Sequence, residues 1–356
     1  MEASIKIGSR IVSEQGRPYF IADIAANHDG DLKRAYKLIE LAKEAGADAA
    51  KFQNFKAELI VSKTGFSSLG QQLSHQAGWE KPVFEVYRDA SLADEWSELL
   101  CSKCREVGIE YMTSPYDFAS VDWADRFVHA FKIGSGDITW TEILQHITGK
   151  GKPVLLATGA SEMADVERAV EIIKKSVGGY ALMQCNTNYT ALPENRKYIN
   201  LNVLRHYKER YPDAVLGLSD HTAGDVTVLG AIALGARIIE KHFTDDNSRS
   251  GPDHAFSMTP DSWREMVLHA MQLYDALGDG VKKIEENEKE SAVIQRRALF
   301  STRDLRSGEI LTADSVYPLR PIQPDGIPPY QMEDLLGKRL RRDVKKDQYL
   351  RKSDFV

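Results

Sequence analysis

Gly217-Leu-Ser-Asp-His-Thr222 and Glu240-Lys-His-Phe-Thr-Asp245 each place a histidine directly after an apolar run. The runs are Ala214-Val-Leu-Gly-Leu218 and Ala236-Arg-Ile-Ile-Glu240. Short apolar runs bounded by turn signals read as buried strands. Between them lie glycine-rich turns and a helix-like stretch, 227–234, so the segment reads as one strand–helix–strand unit. His221 and His242 would then stand at the same end of a parallel sheet, which suggests a shared metal. A lone histidine after a strand is more often a hydrogen-bonded structural residue than a ligand. The pair gains meaning only because the rest of the chain repeats the pattern.

Working outward, eight such apolar runs can be counted: 19–23, 49–53, 110–114, 130–134, 153–158, 180–185, 214–219 and 236–242. Amphipathic stretches follow most of them, among them 32–45, 163–176, 201–209 and 260–277, with apolar residues at three- and four-residue steps. Strands alternating with helices argue for a parallel sheet, and eight repeats fit a closed (β/α)₈ TIM barrel better than an open sheet. Each run ends in polar residues or glycine: Asp23, Lys51 and Gln53, Thr113 and Ser114, Lys132 and Ser135, Thr158, Asn186 to Asn188, Ser219 with His221, and Lys241 with His242. The carboxyl ends of barrel strands converge on one mouth, where function sits.

Two segments depart from a minimal barrel. The connection 54–87 is too long for an ordinary loop and is expected to cover the mouth. After a barrel spanning 1–280, a charged linker at 281–292 leads to a small β-rich module at 293–356, whose proline-rich piece 318–329 cannot continue the strand–helix rhythm.

The 356 residues carry 46 Lys+Arg against 52 Asp+Glu, a net charge of −6. No global field draws such a chain to nucleic acid or to an anionic membrane, so cations for an anionic substrate must be focused locally. Three cysteines, no secretory leader pattern and no apolar run of about 18 residues lead to the expectation of a reduced, cytoplasmic protein. Cys101-Ser-Lys-Cys104 has CxxC spacing but lies inside a helical pattern without a second pair, and reads as two helix-face cysteines.

Lys51 and Lys132 would both project into the mouth, where an unpaired ammonium is costly to desolvate. Either an anionic ligand lies between them or carboxylates such as Asp23 and Asp220 pair with them. Ser114, Ser135 and Ser219, with N–H groups around Gly134 and Gly136, add donors of the kind that cradle phosphate. Two imidazoles make a poor zinc site, since catalytic zinc has three protein ligands. An open site of His221, His242, water and substrate oxygens suits manganese, iron, cobalt or magnesium, with imidazole favouring Mn²⁺. Asp220 either orients a ligand or caps the following turn. Asp23 is the best-placed carboxylate for proton transfer or for stabilising positive charge.

Asp23-Ile-Ala-Ala-Asn-His-Asp-Gly30, Gly46-Ala-Asp-Ala-Ala-Lys-Phe-Gln53, Lys132-Ile-Gly-Ser135, Ala157-Thr-Gly-Ala160, the two histidine motifs and Gly251-Pro-Asp253 together resemble the sialic acid synthase (N-acetylneuraminate synthase) family over nearly the whole chain. The tail, with Arg303-Asp-Leu-Arg-Ser-Gly-Glu309 and Gly337-Lys-Arg-Leu340, is similar to its antifreeze-like (SAF) module. The resemblance implies phosphoenolpyruvate on Lys51, Ser114, Lys132, Ser135, Thr187 and Ser219, a divalent metal (Mn²⁺, with Mg²⁺ or Co²⁺ as alternatives) on His221 and His242, and a sugar near Asp23, Tyr189, Asp253 and Arg320. It further implies a domain-swapped homodimer in which Arg320 reaches the partner's site. The chain departs from the family at Asp23, where glutamate is usual. It departs again at Thr187, where many members carry an asparagine that Asn186 or Asn188 could replace. The implied reaction condenses phosphoenolpyruvate with an open-chain N-acylated hexosamine, N-acetylmannosamine or a 2,4-diacetamido-trideoxyhexose, to a nine-carbon 2-keto acid and phosphate. A synthase acting on a phosphorylated aldose, or a decayed carbohydrate-binding scaffold, are the alternatives.

Overall fold

The computed structural model describes residues 3–356, and the chain divides after Gly278 into two units. The first opens with an antiparallel hairpin, β1 (Ser4–Ile7) and β2 (Arg10–Ser13), whose Ile5, Ile7 and Val12 floor the barrel. Eight parallel strands follow: β3 (Tyr19–Asp23), β4 (Ala49–Asn54), β5 (Glu110–Pro115), β6 (Phe131–Ile133), β7 (Val154–Ala157), β8 (Tyr180–Cys185), β9 (Val215–Asp220) and β10 (Ile238–His242). Their hydrogen-bonded order is β5-β4-β3-β10-β9-β8-β7-β6, and β5 and β6 lie side by side to close the ring. All eight apolar runs are therefore strands of one barrel.

Successive residues of a strand point to opposite faces. Tyr19, Ile21, Ala49, Met112, Leu155, Ala181, Met183, Val215 and Ile238 form one buried cluster inside the ring. Phe20, Ala22, Phe52, Leu156, Leu182, Leu218 and Ile239, of opposite parity, pack outward against helices. Those helices are α1 (Leu32–Glu44), then, after three short helices in the connection from β4, α2 (Ala57–Ile60), α3 (Lys63–Ser68) and α4 (Val83–Ala90), the remaining α5 (Trp96–Val107), α6 (Phe118–Ala124), α7 (Thr141–Thr148), α8 (Met163–Ile173), α9 (Val203–Arg210), α10 (Val226–Ala233) and α11 (Pro260–Leu277). The start of α1 is set by Asp31, whose carboxylate accepts from the Lys33 and Arg34 N–H groups, and its stripe Ala35, Leu38, Ile39 and Ala42 is buried at helical spacing. Pro260 opens α11 behind a Thr259 capping box. Cys101 and Cys104 are free thiols buried on α5.

The long connection is not a bare loop. With α2, α3, a 3₁₀ turn at Ser74–Gly78 and α4, it builds a small core of its own from Ala57, Val61 and Val83 with Ile60, Phe66, Trp79, Phe84 and Tyr87.

The second unit, Asp279–Val356, begins with irregular chain and α12 (Lys289–Ile294). A two-stranded antiparallel sheet, β11 (Ala298–Ser301) and β12 (Val316–Leu319), is extended by isolated bridges such as Leu305 to Val344. Leu299, Leu305, Leu311, Val316, Ile327, Leu340, Val344 and Leu350 form its core. Among the described residues no helix is long and apolar enough to cross a membrane.

Candidate active site

The same alternation that fills the barrel with apolar side chains at its floor turns polar at its mouth. Asp23, Lys51, Ser114, Lys132, Ser219 and Glu240 are buried, in step with the inward-facing residues of their strands. Asp23 is paired in register with both His242 and Lys51, and Ser219 with Glu240. Asp220 and Lys241 have the opposite parity. They meet outside the ring, 2.6 Å apart, where Asp220 also accepts from the Thr222 N–H and from the Thr227 hydroxyl. Asp220 therefore caps the turn after β9 and neither orients a metal ligand nor pairs with Lys51 or Lys132.

Carboxylates of the protein itself lie beside the two lysines. Lys51 donates to Asp23 Oδ2 at 2.7 Å, and Lys132 Nζ is 3.2 Å from Glu240 Oε1. Glu240 Oε1 also lies 3.9 Å from Lys51 Nζ and accepts from Ser219 Oγ at 3.2 Å, so it joins both lysines. Burial alone would lower the Lys51 pKa, but Asp23 and Glu240 outweigh it and hold the ammonium above its ordinary value. Burial pushes Glu240 up, yet Lys132 and Lys51 hold its carboxyl at about 2. Asp23 is raised by burial, with Lys51 pulling it back. Two ammonium groups thus face two carboxylates, and each ammonium has three donors, more than its carboxylate uses. Glu240 escaped the sequence reading, although its place two residues before His242 on one strand was a signal of shared orientation.

The imidazoles of His221 and His242 lie with ring centroids 5.5 Å apart. Nδ1 of His221 is 2.8 Å from the Asn186 carbonyl, which makes Nδ1 the protonated nitrogen and leaves a lone pair on Nε2. Nδ1 of His242 is buried without a hydrogen-bond partner. Burial lowers both rings to about 3, with the neighbouring ring adding to it for His221 and Lys51 for His242, so both are neutral and ligand-competent. Among the described residues no cluster of three or more His, Cys, Asp or Glu side chains is placed to hold a metal. The donor set fits an open site with two protein nitrogens, the remaining positions left to water or substrate oxygens, and does not fit a closed structural site.

Beside the lysines, Ser135 Oγ accepts from the Gly159 N–H at 2.8 Å, and its own proton is available to Cys185 Sγ or to a ligand. This approach requires glycine: a Cβ at 159 would stand 2.7 Å from Thr187 Cγ2, 3.0 Å from Ser135 Oγ and 3.1 Å from Cys185 Sγ. Thr187 is thereby placed next to Ser135. Asn186 instead gives its carbonyl to His221, and Asn188 Oδ1 accepts from Thr190 and Asn195. Ser114 Oγ lies 3.5 Å from Lys51 Nζ.

Above this floor opens a cavity of about 370 Å³, lined by Gly134, Ser135, Gly136, Asp137, Tyr189, His242 and Asp253 from the barrel and by aromatic and aliphatic side chains of the 54–90 connection. Asp253 Oδ2 accepts from the Ala26 N–H at 3.2 Å and lies 4.0 Å from His242; burial raises its carboxyl to about 7. The loop that carries it is fixed by Asn27, which donates to the Phe243 carbonyl and to Ser257, and by His254, held between Thr244 and Asp29. Tyr189 packs against His221 at 4.1 Å between centroids, with the two rings tilted by 53°. Asp137 and the aromatic lining were not legible as site residues; burial raises Asp137 to about 6. Arg320 belongs to the second unit, exposed just after β12.

The sequence model of the NeuB family matches residues 38–282, and that of the SAF domain matches 296–356. N,N'-diacetyllegionaminic acid synthase of Campylobacter jejuni is 34% identical over 93% of this chain and 98% of that protein. Pseudaminic acid synthase of the same organism is 31% identical over 95% of this chain and 96% of that protein. The crystal structure of N-acetylneuraminic acid synthetase from Leptospira borgpetersenii in complex with citrate is similar with a TM-score of 0.72 and 28% identity, covering 82% of this chain and 95% of that one. On these matches the chain belongs to the NeuB family, the sialic acid synthase family of phosphoenolpyruvate-dependent, C–C bond-forming transferases, and carries a SAF domain at its C-terminal end.

Proposed function

We propose that this protein condenses phosphoenolpyruvate with the open-chain aldehyde of an N-acylated hexosamine, giving a nine-carbon 2-keto acid and phosphate. The observation that carries the reading is the buried set Lys51, Asp23, Lys132 and Glu240 lying beside two neutral histidines at one barrel mouth. Lys51 and Lys132 use their remaining donors, with Ser114, Ser135, Ser219 and Thr187, to hold the carboxylate and phosphate of phosphoenolpyruvate, so that C3 faces the aldehyde. Attack by C3 leaves positive character at C2, which the Asp23 and Glu240 carboxylates stabilise until water adds there and phosphate departs. A divalent cation on His221 and His242, for which we favour Mn²⁺, would supply Lewis-acid polarisation of the aldehyde oxygen. Asp253 and Tyr189 position the sugar. Arg320 of one subunit reaches the sugar site of the other in a homodimer, where its guanidinium can present several donors to an acyl carbonyl or hydroxyls. Two Campylobacter relatives of nearly equal identity are named for different products, so identity does not select the acceptor.

The experiment is phosphate release from phosphoenolpyruvate, with and without N-acetylmannosamine or a 2,4-diacetamido-trideoxyhexose, before and after chelation. Release should require a sugar, stop on chelation and return with Mn²⁺, and His221→Ala should stay folded but fail to bind Mn²⁺. Full activity in a metal-free sample would remove the metal from the reaction.

A further inference from the structure

The aromatic wall that the 54–90 connection adds to the cavity carries polar atoms as well as apolar surface. Beside Phe55, Val61 and Phe66 it presents His75, Trp79 and Tyr87. His75 is the residue of this wall with an unmet need: its Nδ1 is buried and has no hydrogen-bond partner. Leaving a buried polar atom unpaired is costly, so such an atom on a side chain that lines an open cavity points to a group that arrives with the ligand.

The imidazole is held in a defined place. It stands edge-on to Trp79 at 5.3 Å between centroids, with 79° between the planes, and packs against Tyr189 at 4.8 Å. The 3₁₀ turn that carries it is closed by the Trp79 N–H, which donates to the Gln76 carbonyl at 3.0 Å, and by Gln72, whose amide donates to the Trp79 carbonyl at 2.9 Å. Tyr189 in turn packs against His221 at 4.1 Å. One ring therefore separates His75 from an imidazole competent to bind the metal.

The chemistry of the group that His75 would meet follows from its charge. Burial lowers its pKa from the ordinary 6.5, so at neutral pH the ring is uncharged and offers one N–H donor and one lone pair. An uncharged partner that also donates and accepts, a hydroxyl or an N-acyl amide, satisfies both. A phosphate or carboxylate brings acceptors only. Asp137 and Asp253 also line this cavity, and among the described residues no lysine or arginine does, so the anionic reactant belongs with Lys51 and Lys132 at the floor.

We propose, on the strength of the condensation reading above, that His75 is a specificity-determining contact for the sugar: its imidazole hydrogen-bonds a hydroxyl or the N-acyl amide of the acceptor, and its packing on Tyr189 sets where that group stands relative to His221. Phosphoenolpyruvate does not touch it.

The test measures kcat, KM for each substrate and Mn²⁺ affinity in the intact protein, with N-acetylmannosamine and with a 2,4-diacetamido-trideoxyhexose, for the wild type, His75→Phe and His75→Asn. His75→Phe keeps a ring against Trp79 and Tyr189 but removes both nitrogens. It should raise KM for the sugar that turns over by about tenfold, the upper end of what one hydrogen bond contributes, and leave KM for phosphoenolpyruvate and Mn²⁺ affinity unchanged. His75→Asn gives up the ring but keeps a donor and an acceptor, and should recover most of the lost sugar affinity. A residue that only packs would give the reverse order. His75→Asn impaired as much as His75→Phe or more, or a matching rise in KM for phosphoenolpyruvate, overturns the contact and leaves the condensation reading intact. No turnover of either sugar by folded wild-type protein that binds phosphoenolpyruvate overturns the condensation reading itself, and this contact with it.

Discussion

Lys132 carries its charge into the barrel because Glu240 lies 3.2 Å away and keeps its own charge in return. Breaking one half of such a buried pair leaves the other uncompensated, whereas neutralising both can be nearly neutral for stability. Lys132→Met should therefore lower unfolding stability by about 3 kcal/mol, the low end of the usual range because Lys51 remains 3.9 Å from Glu240. The double variant Lys132→Met, Glu240→Gln should regain most of that stability, and neither protein should release phosphate. Urea denaturation of the single and double variants checks this. A double variant as unstable as the single one would show that the two groups do not compensate each other. At this scale both lysines and both histidines could be picked out of the sequence, since each follows an apolar run. Of their partners, Asp23 was expected and lies 2.7 Å from Lys51, whereas Glu240 was missed and Asp220 expected in its place, because which of these two faces inward depends on strand parity. A string of five residues such as Ile238-Ile239-Glu240-Lys241-His242, buried throughout, does not reveal which face is the interior.

Elements hold these side chains in place through polar residues that sit outside the chemistry. In the segment after β3, Asn27 ties the loop after β10, and His28 is buried against Trp96, with Nδ1 accepting from the Gly30 N–H at 3.1 Å. Burial lowers the His28 pKa from its ordinary 6.5 to about 4. The unfolded chain thus takes up a proton there before the native protein does, so the stability contributed by neutral His28 is present above pH 6.5 and is lost as pH falls towards 4. The loss amounts to about 1.4 kcal/mol per pH unit within that window. His28→Gln should flatten this part of the stability profile between pH 7 and pH 5; an unchanged slope would place the titration elsewhere. The strand runs were legible because a buried barrel strand is a short apolar run between turns. The aromatic wall was not, because 54–90 folds through several short helices without a sustained period, and its apolar residues face a cavity instead of the common core.

Across the whole molecule, the barrel and the SAF domain each have their own core, and the proposed role of Arg320 links them between subunits. Mixing inactive Lys51→Ala with inactive Arg320→Ala, after dissociation and reassociation, should restore one intact site per hybrid dimer and return activity; a mixture that stays inactive would confine the arginine to its own chain. The central claim is the formation of a carbon–carbon bond between phosphoenolpyruvate and an N-acylated hexosamine. Its most direct test is the mass of the product formed by purified protein with Mn²⁺, phosphoenolpyruvate and the sugar, measured beside the phosphate released. The account predicts a 2-keto acid with the mass of sugar plus phosphoenolpyruvate plus water minus phosphoric acid, formed one for one with phosphate. Phosphate released with only pyruvate formed and the sugar recovered unchanged would contradict it.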